Sequence, residues 1–435
     1  MQHLFIVYYI DFYEKTYIII NVIQRPYIRK KGQHMSQKKS TVVVIPCDSY
    51  DEEKVYLSLK SGLDELGGFK AIVKPEEKIL VKPNLLSAAV PEKAVTTHPS
   101  VLRAVFRLLS EAGCNNVKTG DSPGHGSCEG AMKLLGLNDE TMYGAKLTPM
   151  SESVHIDFPE GMTCKEFDFC KEVVESDAII NVCKMKTHAL ERITGAVKNV
   201  YGFICGLKKA AGHVKFPNDT VFARMLADIH RCTHPRLHIM DGIIAMEGNG
   251  PGAGTPTPMN VLLISTDPVA LDTVYCYLIN LDPEAVPTNS QGCRMGIGTD
   301  IEEEINIILC DLEKTASDNA QTTCISRHIT KGELFKTYGN GAFDVGREKP
   351  KNTFLMKYSG FMTRIARRPA IDKDKCVKCG ICVDHCPVPG KAVEFKNGKT
   401  SPPVYDYKKC IRCYCCQEMC PKHAIRPVRG LFRRK

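Results

Sequence analysis

The chain has 435 residues, a net charge of +9, 43% apolar and 25% charged residues, and 21 cysteines. That length allows two or three domains around a large core, and the composition is that of a globular protein rather than a disordered or fibrous one. The cysteines do not follow the spacings of a small secreted scaffold, and twelve lie scattered through residues 47–324, mostly within apolar runs. Unpaired thiols behave as small buried hydrophobes in a reducing compartment, so the cytoplasm is the expected location.

The first segment, Met1–His34, is apolar but interrupted by Asp11, Glu14 and Lys15. No uncharged run reaches the roughly 18 residues that a membrane span needs, and no cleavable leader pattern is present. We read 1–34 as an N-terminal extension ahead of a start at Met35, and expect no membrane span.

Residues 35–346 read as an α/β domain. "TVVVIP" and "EKILVKPNLL" are strands, and "HPSVLRAVFRLLSEAG" is a helix with proline at its start and glycine at its end. "NNVKTGDSPG", "SDAIINVCKMKTH" and "RLHIMDGIIAMEGNG" continue the alternation. "MNVLLISTDPVALDTVYCYLI" adds a strand, a helix start at Asp267-Pro268 and an apolar helix. Continuous apolar strands separated by helices predict a mostly parallel sheet covered by helices on both faces.

In such sheets ligands bind beyond the carboxyl ends of the strands. There the sequence gathers Lys82, Pro83 and Asn84, then Asp121, Ser122, Gly124 and His125, and then Lys184, Lys186 and His188. Asp241, Glu247 and Asn249 lead into "GNGPGAG", and the last strand ends at Asp267. Any one of these could be a helix cap or a turn; five strand ends behaving alike point to a site. No Walker A, G-x-S-x-G or G-x-G-x-x-G motif is present.

The segment 184–202 combines Lys184, Lys186 and Lys198 with Gly195 and Gly202, a set suited to a carboxylate or phosphate. The competing reading is a solvated basic loop. Lys184, Lys186, His188, Lys198, Asn199, Asp241 and Glu247 are the candidates for substrate binding or proton transfer.

Residues 347–369 lack apolar periodicity and read as a linker. Residues 370–435 carry Cys376, Cys379, Cys382 and Cys386 before Pro387, then Cys410, Cys413, Cys416 and Cys420 before Pro421. Both runs fit C-x2-C-x2-C-x3-C-P, the two-cluster ferredoxin pattern, whose fourth cysteine ligates the other cluster. This predicts two [4Fe-4S] clusters, one on Cys376, Cys379, Cys382 and Cys420, the other on Cys410, Cys413, Cys416 and Cys386, in a small α+β ferredoxin-like domain. Cys415 is left over. A zinc ribbon would use paired cysteines and leave the third of each run without purpose. With every iron ligated by cysteine, electron transfer is the expected role. A hairpin is expected around Asn397-Gly398.

Residues 361–435 hold 18 Lys and Arg against 6 Asp and Glu, +12, so the remainder carries −3. An oxidised cube with four thiolates carries about −2, and basic surroundings offset it. The surplus suits an acidic electron carrier; nucleic acid is not expected, because the basic tail has no recognition helix.

"KPNLL", "GDSPG", "KMKTH", "TGAVKN" and "DGIIAMEGNGPGAG" together resemble the family catalogued as domain of unknown function 362, over residues 42–280, fused to a two-cluster ferredoxin module over 370–427. "TGAVKN" is also similar to a short glycine–lysine stretch of the lactate racemase family, whose lysine carries a nickel-pincer nucleotide; that family's catalytic histidines are not matched one by one. Three functions compete. The first is an iron–sulfur oxidoreductase, at home in an oxygen-poor cell, passing electrons between a carrier protein and a small anionic substrate. The second is a ferredoxin whose large domain only docks a redox enzyme. The third is a non-redox, racemase-like enzyme with structural clusters.

Overall fold

The computed structural model describes residues 39–348 except 125, 207 and 315–321, residues 367–428, and the short strands Tyr8–Tyr9 and Ile18–Ile19. Those two strands pair antiparallel within a unit spanning Met1–Lys38 that is separate from the rest. Apart from them, the expected N-terminal extension lies outside the described residues. So do most of the expected linker and His125.

The chain after Lys38 begins with strand β1 (Ser40–Pro46) and helix α1 (Glu52–Asp64). Strand β2 (Ile79–Lys82), helix α2 (Pro99–Glu111), strand β3 (Val117–Thr119) and strand β4 (Lys146–Leu147) follow. Next come β5 (Ala178–His188), β6 (Arg192–Thr194), the short α3 (Ala196–Asn199), α4 (Lys208–Lys215) and α5 (Asp219–Thr233). Strands β7 (Leu237–Glu247) and β8 (Thr255–Ser265), helix α6 (Pro268–Leu278), and strands β9 (Ile305–Lys314) and β10 (Thr322–His328) complete the main sheet.

One sheet runs in the order β10-β9-β1-β8-β7-β5-β2-β3-β4, with β6 attached to β5. The pairs β9/β1, β7/β5, β5/β2, β2/β3 and β3/β4 are parallel. Strand β8 runs against both its neighbours, and β10 and β6 are antiparallel additions. The fold is therefore the α/β class expected, a mostly parallel sheet between helices. Alternation along β1 shows why both faces are covered. Val43 and Ile45 join the core under α1 and α2, while Val42 and Val44 join the opposite core against α6.

Two strands run further than their apolar runs suggest. β5 and β7 each extend eleven residues, carrying Lys184, Lys186 and Asp241 inside paired strand rather than in rim loops. An irregularity in β7 permits this, since its register on β5 slips between Asp241 and Met246.

The C-terminal module starts with β11 (Arg368–Ile371), followed by α7 (Ile381–Asp384), β12 (Val393–Glu394), β13 (Val404–Tyr405), α8 (Cys415–Glu418) and β14 (Ile425–Val428). β11 pairs with β14 and β12 with β13, so the segment around Asn397-Gly398 forms the expected hairpin. The two halves repeat one backbone pattern. Lys378 and Gly380 flank Cys379 with positive φ, as Arg412 and Tyr414 flank Cys413. Three of those four positions carry a side chain in a conformation that favours glycine, a local cost accepted where the loop must wrap inward. Of the scattered cysteines, Cys310 and Cys324 form a disulfide between β9 and β10.

Candidate functional site

The module's cysteines surround two small cavities. Cys376, Cys379, Cys382 and Cys420 line one of about 360 Å³, together with Ile371, Val377 and Ile425. Cys386, Cys410, Cys413 and Cys416 line another of about 300 Å³, together with Val388, Val393 and Tyr405. Four thiols in a wall that is mostly apolar, apart from Lys378 and Lys422 at the first cavity, suit a cysteine-ligated iron–sulfur cluster. The Tyr405 hydroxyl lies 3.1 Å from Cys416 Sγ.

A larger cleft, about 920 Å³, lies between the α/β domain and the module. Its floor is a buried polar network at the carboxyl ends of β2, β3 and β5. Lys82 Nζ lies 2.9 Å from Asp121 Oδ1 and donates to Pro83 O at 2.7 Å. Asn84 Nδ2 donates to Asn199 Oδ1 at 2.9 Å, and Asn199 Nδ2 to Asn181 Oδ1 at 2.7 Å. Lys186 reaches the same network from the side, donating to Asn84 Oδ1 at 2.8 Å and Val95 O at 2.7 Å. Burial, then the charges of Lys198 and Lys184, push the Lys186 amine well below its usual range.

Gly202 covers this floor. A Cβ there would lie 2.0 Å from Asp121 Oδ1 and 2.6 Å from Lys82 Cε, so only glycine lets the backbone pass so close. The preceding α3 is fixed by Asp272, which accepts from Ala196 N at 2.7 Å and Val197 N at 3.0 Å. That cap points Lys198 and Asn199 at the cleft. Lys198 is half-buried and makes no hydrogen bond or ion pair among the described residues.

The walls come from residues that strand-end reasoning missed. Tyr201, Lys209 and His213 all line the cleft. Lys209 Nζ donates to Ser122 O, and burial lowers its pKa to about 8. His213 stacks on Phe222 at 4.6 Å, burial lowers its pKa to about 4, and its Nδ1 has no hydrogen-bond partner among the described residues.

The roof is the module itself, through His385, Cys415, Glu418 and Met419. Cys415, the leftover cysteine of the sequence pattern, faces the cleft while its neighbour Cys416 faces the smaller cysteine cavity. His188 fastens this roof. Its Nδ1 accepts from Leu190 N at 3.1 Å and Glu191 N at 3.0 Å, which leaves the proton on Nε2 to be donated to Glu418 Oε1 at 2.9 Å. Burial opposes the Glu418 charge, but the bond from His188 and the nearby Lys198 outweigh it and hold the carboxyl below its usual range. A second fastening uses the glycine-rich loop. Gln417 Nε2 donates to Asn249 Oδ1 at 2.8 Å and Gly250 O at 2.9 Å, and Asn249 Nδ2 to Ile425 O at 3.1 Å.

Of the seven residues expected to bind or transfer protons, then, Lys198 and Asn199 line the cleft, Lys186 supports its floor and His188 holds its roof. Lys184 and Asp241 lie elsewhere, paired at 2.7 Å and closed off by Tyr50, whose hydroxyl is 2.8 Å from both. Glu247 accepts from Asp344 N at 2.8 Å. The only hint of Tyr201, Lys209 and His213 was their nearness to Lys198, within fifteen residues.

The family described as "Domain of unknown function (DUF362)" matches residues 79–277, and the "4Fe-4S dicluster domain" matches residues 368–421. A thylakoid-associated protein of Synechocystis sp. is 34% identical over 267 residues, covering 59% of this chain and 80% of that protein. Among solved structures, the lactate racemase apoprotein of Thermoanaerobacterium thermosaccharolyticum aligns with a TM-score of 0.35 at 13% identity, over 61% of this chain and 60% of that one. A protein of Thermotoga maritima aligns with a TM-score of 0.29 at 14% identity, over 68% of this chain and 58% of that one. The chain thus spans about 60% of the length of the solved structures it matches. The dicluster match makes the C-terminal module an iron–sulfur module of electron-transfer type. No helix among the described residues is long and apolar enough to cross a membrane. The sequence motifs, the domain matches and the relative agree, and the chain belongs to the family of domain of unknown function 362, here fused to a C-terminal ferredoxin module.

Proposed function

We propose that the chain is an iron–sulfur oxidoreductase that passes single electrons between a carrier protein and a small anionic substrate held in the interdomain cleft. Two [4Fe-4S] clusters serve it, one on Cys376, Cys379, Cys382 and Cys420 and the other on Cys386, Cys410, Cys413 and Cys416. The observation that carries this reading is helix α8, which turns Cys416 to a cysteine cavity and Cys415 and Glu418 to the cleft. One short helix thus separates the expected electron source from the expected substrate.

The cleft's chemistry supports an anion. Lys82 is matched by Asp121, whereas among the described residues Lys198 has no ion-pair partner and Lys209 Nζ is tied to a backbone carbonyl. Asn84, Asn199 and Ser122 add neutral polar groups. A partner-docking domain with no chemistry of its own has no use for such a cavity beneath the module. We place the protein in the cytoplasm on the strength of its many unpaired thiols and its clusters, although the Cys310–Cys324 disulfide departs from the expectation that the scattered cysteines are all unpaired; the thylakoid association of the relative would correspond to a peripheral attachment.

Anaerobic purification followed by iron, sulfide and zinc analysis tests the clusters. The reading expects about eight iron per chain with matching sulfide, bleached reversibly by dithionite. Zinc in place of iron would end it. Stopped-flow mixing of the reduced protein with small carboxylates and phosphates then tests turnover. Reoxidation by one class, lost in Lys198→Ala, is the expected result; a nucleotide adduct found on Lys198 by mass spectrometry would transfer support to the racemase-like reading.

A further inference from the structure

The two cysteine cavities differ in what covers them. Around the second, Cys386, Cys413 and Cys416 are buried, and His385 and Cys415, their chain neighbours, face the cleft. Around the first, Cys379 is exposed, and Val377 beside it is 55% exposed. Exposed Lys422 lines that cavity, and exposed Lys373 and Lys375 lie just ahead of Cys376 in sequence. The α/β domain adds Lys93, whose charge acts together with that of Lys375 on His423. Asp374 is the exposed carboxylate of the same stretch.

We propose that this open edge is the electron-entry face, and that it docks an acidic, one-electron carrier protein. The inference rests on the function proposed above and adds the partner's chemistry and the direction of flow. Electrons arrive at the open edge, cross to the closed cavity and leave into the cleft. In each transfer one electron leaves the carrier and one arrives at the module; no bond breaks and no proton moves. The lysines steer an acidic partner by complementary potential and release it readily, as a turnover carrier requires. Val377 is the apolar contact point at the centre of a polar rim. A membrane surface is the weaker occupant, because the edge offers one exposed aliphatic side chain and no amphipathic helix among the described residues.

The test is stopped-flow reduction of the intact, cluster-loaded protein by a reduced flavodoxin, over a series of ionic strengths. The wild-type rate should fall steeply with salt. In the K373E/K375E/K422E variant the low-salt rate should drop at least tenfold and its salt dependence flatten or invert. The dithionite end-point and iron content should be unchanged. The K60E/K331E/K336E variant makes the same change in net charge at exposed positions of other elements, and should keep most of the wild-type rate. A wild-type rate indifferent to salt, a measurement that needs no variant, would overturn the proposal. So would equal slowing in both variants, which would mean net charge rather than a face. Salt-sensitive binding to phosphatidylserine vesicles, lost in the first variant while flavodoxin reduction is unaffected, would assign the face to a membrane and likewise overturn it. If flavodoxin reduces the clusters as expected but no anion reoxidises them, the proposed function fails and the entry face stands.

Discussion

Two lysine–carboxylate pairs lie in the same sheet, and their surroundings are opposite. Around Lys184 and Asp241 the set is closed. Asp241 accepts from Tyr50, from His98 N at 3.0 Å and from Lys184, and the Tyr50 ring stacks on His98 at 3.5 Å. Around Lys82 and Asp121 the set is unfinished, because the cleft above them holds Lys198 and His213 Nδ1, neither of which has a partner among the described residues. Buried charges are stable when all their partners are internal. A polar set that still has capacity, beside open space, is where a ligand can complete it. We read the closed pair as architecture and the open one as part of the proposed site.

The largest expected effect is at the closed pair. Asp241→Ala leaves the Lys184 amine buried without a counter-charge, a change that costs about 3–5 kcal/mol in such pairs. Denaturant unfolding of the full chain measures it, with m-values to confirm that the same structure unfolds. A variant of near wild-type stability would return Lys184 and Asp241 to the list of substrate-handling candidates.

The sequence made part of this distinction legible. The spacing of the eight cysteines, the strand ends at Lys82 and Asp121, and the Asp267 cap of α6 could all be read from local pattern, because turns, caps and cluster loops are local. What could not be read was how far β5 and β7 run. "KMKTH" looks like a basic loop, yet its alternation of Lys184, Lys186 and His188 with Met185 and Thr187 has the period of a strand, and Met185 is wholly buried. The roof was invisible for another reason. Glu418 and Gln417 sit inside a cluster motif, and only tertiary docking brings them to His188 and Asn249. Cys415 gained a reading the same way, as a surplus residue in the motif but part of the roof in the fold.

A smaller effect should separate floor from roof. Gly202→Ala would drive a methyl group into the Lys82–Asp121 pair, and overpacking of this kind costs about 1–3 kcal/mol. Thermal unfolding should therefore shift downward, and the floor should lose anion binding while the module keeps its iron. Unchanged stability would mean that the backbone over the floor yields easily, and that the floor is less rigid than its hydrogen bonds imply. Lys198→Ala is the complementary change. It should alter stability by under about 0.5 kcal/mol, as for a residue without partners, yet weaken binding of a small carboxylate or phosphate about tenfold by calorimetry, as for loss of one charge-assisted bond. The reverse pattern, lost stability with binding intact, would move Lys198 into the architecture.

The smallest effect is a dependence on pH. Lys209 is held near pKa 8 by burial, with Asp121, Cys170 and Cys205 raising it and Lys82 lowering it further. Below pH 7 its amine is charged and available to an anion in the cleft; as pH rises through about 8 the proton leaves, and anion affinity should decline. Stability should move the other way. The unfolded lysine keeps its proton to about pH 10.4, so between the two values the unfolded chain binds more protons and folding becomes more favourable as pH rises. Binding that weakens while the fold strengthens is therefore the signature of Lys209 acting on a ligand, and general alkaline unfolding cannot imitate it. In Lys209→Met the affinity should be lower and flat across that window. An unchanged pH profile in this variant would assign the titration to another group and leave Lys198 as the cleft's anion-binding cation.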